Sequence, residues 1–244
     1  MGQALGEGLN ATGRFNVAAL VDEHEPRELF GGRYVRSLNE LDAGSIDAVV
    51  DFSSPEGVAR SAAWCTEHVV ALVVGATGLS DEQRQSLHDT AAHVSVVVAS
   101  NFSVGAVLAE RFAAAAAPYF DRVEIVELHH DKKVDAPSGT SLATARHIAA
   151  ARRAAKQEPL VDPTTRFSVE GSRGADAADG VKIHSVRLPG LVAHQEVLFG
   201  SPGEGLTIRH DSFDRQSFVH GVALALDAVD TTPKFIDGIS SLIN

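Results

Sequence analysis

The densest polar run in the chain is Glu127-Leu128-His129-His130-Asp131-Lys132-Lys133-Val134-Asp135-Ala136-Pro137-Ser138-Gly139-Thr140. Two adjacent histidines and two adjacent lysines bring proton donors that work near neutrality, and fixed positive charge, within a few residues of one another. Pro137-Ser138-Gly139-Thr140 reads as a helix start: a hydroxyl residue able to cap, a glycine, then an alanine-rich stretch. The first N–H groups of a helix have no acceptor inside it, so such a start can hold an anion. A carboxylate gripped there would lie close to the Lys and His side chains, and proton transfer beside a bound carboxylate is the chemistry this run could perform. The same residues also fit a solvated charged loop followed by an ordinary capped helix.

The elements that must position this run fall into two textures. In the first half, short apolar and β-branched runs at 16–21, 46–52, 69–74 and 94–98 alternate with amphipathic helical stretches at 55–68 and 80–93, the second opened by Ser80-Asp81-Glu82. Continuous apolar strands alternating with helices predict a parallel sheet covered on both faces, with ligands at the carboxyl ends of its strands. After Phe102 the pattern changes. A helix at 104–120 leads to a strand at 123–128 and a second helix from Thr140 to about Lys156, followed by a polar stretch at 157–180. Strands at 181–188, 194–199 and 206–210 are punctuated by turns, which reads as an antiparallel or mixed sheet and an α+β domain. A final helix at 217–229 resembles the first half. The expected organisation is an α/β domain over 1–103, completed by 213–244, and an α+β domain over 104–212.

Composition narrows the function classes. The 244 residues carry 21 basic and 32 acidic side chains, a formal net charge of −11, which argues against a nucleic-acid partner. No apolar run is long enough to span a membrane and no signal peptide is visible, so a cytoplasmic protein is expected. The single cysteine, Cys65, lies in a helical apolar context and reads as a buried thiol. His184, His194 and His210 fall on the late strands, but their spacing matches no ligand motif, so no metal is expected.

The run His129-His130-x-x-Lys133-Val134-Asp135-Ala136-Pro137-Ser138-Gly139-Thr140 resembles the active-site signature of the 4-hydroxy-tetrahydrodipicolinate (dihydrodipicolinate) reductases. The resemblance extends through Asp51-Phe52-Ser53-Ser54-Pro55-Glu56-Gly57, Gly75-Ala76-Thr77-Gly78, Ala99-Ser100-Asn101-Phe102-Ser103-Val104-Gly105 and Arg187-Leu188-Pro189-Gly190. It continues through His194-Gln195-Glu196 to Leu206-Thr207-Ile208-Arg209-His210-Asp211-Ser212 and Arg215-x-x-Phe218, almost end to end. It implies that the first domain is a Rossmann-like dinucleotide-binding domain, its first strand missing here, and the second a substrate-binding and oligomerisation domain. It implies NAD(P)H-dependent reduction of a cyclic dicarboxylate in diaminopimelate and lysine biosynthesis, by a homo-oligomer, expected to be a tetramer. Residue by residue, it implies proton transfer by His129 and Lys133, and carboxylate contacts by His130, Gly139 and Thr140. It places Gly75, Ala76, Thr77, Ala99, Ser100, Asn101 and Phe102 along the cofactor.

One departure stands out at the start of the chain. Family members open with a strand and a Gly-rich turn that holds the pyrophosphate, whereas this chain opens at Met1-Gly2-Gln3-Ala4-Leu5, equivalent to the end of that turn. The expectation is that the true start lies about 15–20 residues upstream, since a Rossmann unit begins with that strand and turn. The alternative function is a relic that keeps the dicarboxylate pocket but binds cofactor poorly. The second strand ends at Asp22, where an acid for the ribose hydroxyls belongs, and Glu23 follows. Two acids in a row would repel a 2′-phosphate, which favours NADH over NADPH. Asp22-Glu23-His24-Glu25 also fits a solvated acidic turn.

Overall fold

This computed structural model describes residues 1–230 and 232–243. In chain order its elements begin with α1 (Gly2–Ala11), β1 (Ala19–Val21), β2 (Arg33–Val35), β3 (Ala48–Asp51), α2 (Pro55–His68), β4 (Ala71–Val74), α3 (Asp81–Thr90) and β5 (Ser95–Val98). Then come α4 (Val104–Ala116), β6 (Arg122–His129), α5 (Gly139–Ala154), β7 (Ala175–Ala178), β8 (Val181–Arg187), β9 (Ala193–Ser201), β10 (Glu204–Ser212), α6 (Val219–Ala228) and β11 (Lys234–Asp237). They fall into two compact units, Met1–Val104 with Arg215–Asn244, and Gly105–Asp214.

The helix starts of the first unit follow from local chemistry. The Ser54 side chain accepts the Gly57 N–H at 3.2 Å and Pro55 occupies the first helical turn, so α2 begins where an N–H is dispensable. Ser80 and Gln83 close a reciprocal capping box on α3. β4 and β5 are buried at every position, as strands covered on both faces must be. Leu72, Val74, Val96 and Val98 pack with Val58, Trp64, Cys65 and Leu87 of α2 and α3, and α6 lies against β4.

The parallel order in this unit is β11-β5-β4-β3, and β1 pairs with β2 in a separate two-stranded parallel sheet. Among the described residues no strand joins β1 to β3, the place the expected opening strand would take. Three features depart from the sequence reading. β2, at Arg33–Val35, is a strand where none is expected. β11, which no periodicity announced, adds an edge beside β5. Val69, expected to open a strand, instead ends α2 in the left-handed conformation with φ 57°.

The second unit is a five-stranded mixed sheet, β10-β9-β6-β8-β7, in which only β6 and β8 run parallel. The crossover between them is α5. Val123, Ile125, Val181, Ile183, Val197 and Phe199 form one buried face with Ala145 and Ile148 of α5. The polar stretch at 157–180 contributes β7, an unexpected edge strand paired antiparallel with β8 across a register irregularity. No helix among the described residues is long and apolar enough to cross a membrane.

Candidate active site

In the second unit, the polar run occupies one continuous strand–loop–helix. Successive side chains of β6 alternate faces, so Glu127 and His129 point the same way. Glu127 is completely buried, yet it accepts from both arms of Arg187 on the parallel neighbour β8, at 2.9 Å and 2.8 Å, and bonds the Nδ1 of His129. Burial pushes the Glu127 carboxyl up, but the hydrogen bonds from Arg187, Ser185 and His129 outweigh it and hold the group below the usual carboxylate range. A carboxylate only accepts, so Nδ1 of His129 must carry the hydrogen and Nε2 is left for proton exchange. Burial pushes the imidazole down, opposed by Glu127, and the net shift is downward. His129 is therefore neutral at pH 7.

Lys133 is half-buried, and its ammonium donates to both oxygens of the exposed Asp135 carboxylate at 2.8 Å and 2.9 Å. The second arm of Arg187 also donates to the Asp135 carbonyl at 2.7 Å, which ties the loop carrying Lys133 to the Glu127 anchor. His130 is exposed beyond the end of β6, and its carbonyl accepts the Lys133 N–H at 3.2 Å.

The start of α5 is pinned from below. Buried Ser138 caps it, accepting the Ser141 N–H at 3.2 Å, and the Ser141 hydroxyl donates to Gln195 of β9 at 2.8 Å. Gln195 in turn donates to Thr144 at 3.0 Å. Gly139 and Thr140 are thus the first two residues of a rigidly seated helix. Gly139 is exposed with open space around it, so a ligand oxygen can approach the helix start. Sequence reading missed Glu127, Arg187 and Gln195 as contributors. The alternation Glu127-x-His129 within a strand was the available signal for the first.

The expected cofactor residues lie in the first unit, at the carboxyl ends of β4 and β5. Ala76, Thr77, Ala99 and Ser100 line one cleft of about 100 Å³ together with Gly78 and Arg84. Gly75 donates its N–H to the Asp51 carbonyl at 2.8 Å, and a side chain there would run into the ring of Phe52. This bare backbone beside an open cleft fits a flat cofactor ring. Asn101 accepts the Ser103 N–H at 2.9 Å and shapes the turn. Phe102 is fully buried, its ring 5.3 Å from that of Phe52, so its side chain is core and its backbone is the part that can face a ligand. Asp22 is exposed just after β1, and its carboxylate accepts the His24 N–H at 2.9 Å.

The late histidines are engaged in the sheet. His184 pairs with Glu124 at 2.7 Å and His194 with Asp211 at 2.7 Å. Among the described residues, no group of three or more His, Cys, Asp or Glu could hold a metal ion.

Two family models match almost the whole chain: dihydrodipicolinate reductase, N-terminus, over residues 1–102, and dihydrodipicolinate reductase, C-terminus, over residues 105–242. The chain belongs to the dihydrodipicolinate reductase family. Its relatives include the 4-hydroxy-tetrahydrodipicolinate reductase of Cutibacterium acnes, 46% identical over 96% of each chain. That of Enterococcus faecalis is 43% identical, covering all of this chain and 95% of the relative. The structure is similar to the dipicolinate-bound dihydrodipicolinate reductase from Paenisporosarcina sp. TG-14, with a TM-score of 0.84 and 35% identity over 99% of this chain and 95% of that one. The reductase family is an oxidoreductase family with a Rossmann-like N-terminal domain, and the nicotinamide cofactor that such a domain implies suits the cleft after β4 and β5.

Proposed function

We propose that the protein reduces 4-hydroxy-tetrahydrodipicolinate to tetrahydrodipicolinate in diaminopimelate and lysine biosynthesis. The observation that carries this reading is the cluster of a neutral, oriented His129, an ammonium at Lys133 and an open helix start at Gly139 and Thr140, all in one strand–loop–helix. A cyclic dicarboxylate needs two anion clamps. The α5 start with the Thr140 hydroxyl supplies one, and His130 with Lys133 supplies the other. Charge-assisted hydrogen bonds of this kind are the strong ones, and they fix the ring for attack at one face.

A reduced nicotinamide, when bound, supplies the hydride. Hydride addition to a conjugated C=C–C=N system builds negative charge on the substrate, which one proton must neutralise. Lys133 is the charged donor within the site. His129, neutral with Nε2 available, accepts and returns a proton beside it. Ala76, Thr77, Ala99 and Ser100 hold the nicotinamide end of the cofactor, with Gly75 and Asn101 shaping the adjoining turns. Asp22 takes the ribose hydroxyls, and with Glu23 beside it a 2′-phosphate is repelled, so NADH is preferred over NADPH.

The sheet of the second unit buries one face on α5. Its other face carries partly exposed Leu198 and the Arg209–Glu196 ion pair, and is the surface through which four copies associate. No observation favours a cofactor-deficient binding role.

The test is NADH and NADPH oxidation by the purified protein, coupled to an upstream synthase that generates the unstable substrate. Turnover is expected, and Lys133→Ala and His129→Ala should each lower kcat by roughly 10²–10⁴-fold, the range for a positioned acid or base. Near-wild-type turnover in both variants would remove the assignment.

A further inference from the structure

The geometry points to Glu127 and Arg187 as the positioning pair of this site, fixing the tautomer of His129 and the placement of Lys133 through a single buried anchor. The inference rests on the reductase reading for its kinetic consequences, but the structural claim stands on its own.

Three observations carry it. Glu127 is completely buried, and its carboxylate is shared between His129 on its own strand and Arg187 on the neighbouring one. A buried carboxylate is costly unless paired, and a hydrophobic residue would suit this face of the sheet better for stability alone. Arg187 donates to four acceptors: the two oxygens of Glu127, its neighbour's carbonyl on Val186 at 2.8 Å, and the carbonyl of Asp135. Its Nε is buried and unpartnered, so the guanidinium is placed for its two arms rather than for its own full satisfaction. Asp135 is the residue whose side chain grips Lys133. One planar fork thus spans the strand bearing His129 and the loop bearing Lys133, a task the point charge of a lysine cannot perform.

The charged groups facing His129 are Glu127 on β6, Arg187 on β8 and Lys133 in the following loop. Its β9 neighbour is Ala193, which does not titrate. Of these, only Glu127 favours the imidazolium and only Glu127 holds the Nδ1–H. Removing its charge therefore releases the tautomer and moves the titration of His129 to lower pH. Glu127 bonds His129 and Arg187 but neither Lys133 nor Asp135, so Glu127→Gln should change ground-state binding of the dicarboxylate little, whereas Arg187 also holds the loop that carries the Lys133 clamp, so its loss should weaken that binding.

The experiment compares wild type with Glu127→Gln, Arg187→Lys and the double variant Glu127→Gln/Arg187→Gln. The double variant leaves no unpaired charge in the sheet should either single variant fold poorly. Histidine is labelled with nitrogen-15, and His129 is assigned by the signal lost in His129→Asn. Wild type should show a neutral Nδ1–H imidazole at pH 7; Glu127→Gln and the double variant should populate the Nε2–H form and titrate at lower pH. In the coupled assay Glu127→Gln should lower kcat roughly ten- to hundredfold, the scale of lost supporting contacts at a site, while its KM changes less than about threefold. Arg187→Lys should keep the tautomer, lose a comparable share of kcat and, unlike Glu127→Gln, raise KM for the dicarboxylate. An unchanged tautomer and titration, or a double variant turning over at the wild-type rate, overturns the proposal. If wild type neither turns over nor binds dipicolinate in calorimetry, the reductase reading fails, and the nitrogen spectra still decide whether Glu127 orients His129.

Discussion

Gly221→Ala is the substitution for which local and tertiary reasoning give opposite signs. Gly221 lies in α6, where replacing glycine by alanine ordinarily gains up to about 1 kcal/mol of helix propensity. Its backbone needs no left-handed conformation. Yet a methyl group there would collide with the carbonyl oxygen of Phe102, and would stand 2.8 Å from both its carbonyl carbon and Cδ1 of Ile239. Phe102 and Ile239 are themselves buried, and a backbone carbonyl cannot escape by changing rotamer. The strain should therefore reach the upper end of the overpacking range, about 3 kcal/mol. Net of the propensity gain, the variant should lose about 2 kcal/mol. For a chain of this length that is a fall in Tm of about 4–8 °C. The Phe102 carbonyl ends the segment Ala99-Ser100-Asn101, so displacing it should also raise KM for the nicotinamide cofactor. Differential scanning calorimetry and the coupled assay read both effects. Gly2→Ala, where nothing lies within 4 Å, is the control and should be neutral or mildly stabilising. A Gly221→Ala protein that melts at or above the wild-type temperature would show that the α6–Phe102 contact does not set the packing.

Thr140→Val keeps the shape and removes one hydroxyl hydrogen bond to a charged carboxylate, a loss of about 1.5–3 kcal/mol. KM for the dicarboxylate should rise by roughly an order of magnitude or more with a smaller change in kcat, and an unchanged KM would place the carboxylate elsewhere. Burial holds the folded imidazoles of His129 and His210 below their ordinary value of about 6.5, so the unfolded chain takes up protons first as pH falls. Their contribution to stability is full above that value and is lost as pH drops through the lower folded values. A His129→Gln/His210→Gln variant should show a flatter Tm between about pH 7.5 and pH 5, and an equal slope would refute the attribution. Cys65 is inaccessible, and burial, aided by the nearby Asp51 carboxylate, pushes its thiol up to about 12. A disulfide reagent at pH 8 should leave it unmodified in the native protein and label it fully in denaturant.

The sequence by itself determined the local pieces. Ser54-Pro55 and Ser80 with Gln83 mark helix starts because a cap acts within one turn, and the starts of α2 and α3 follow from them. His129, Lys133 and Thr140 could be read as one site because a single strand–loop–helix carries them. What the tertiary structure decided are contacts between distant segments. Arg187 reaches Glu127 across 60 residues because the parallel β6–β8 register sets Arg187 level with His129, two residues further along β6, and Gln195, level with Glu127 in the antiparallel β6–β9 pair, reaches Ser141 of α5 across 54. β7 and β11 are four-residue edge strands, too short to carry a periodic signal, and they form because a neighbouring strand offers unpaired N–H and C=O groups. The core role of Phe102 depends on Phe52 and Gly221 converging on it from other segments. Pattern and capping act over one or two turns of chain, whereas register, burial and the sharing of one carboxylate by two strands exist only once the sheet has closed.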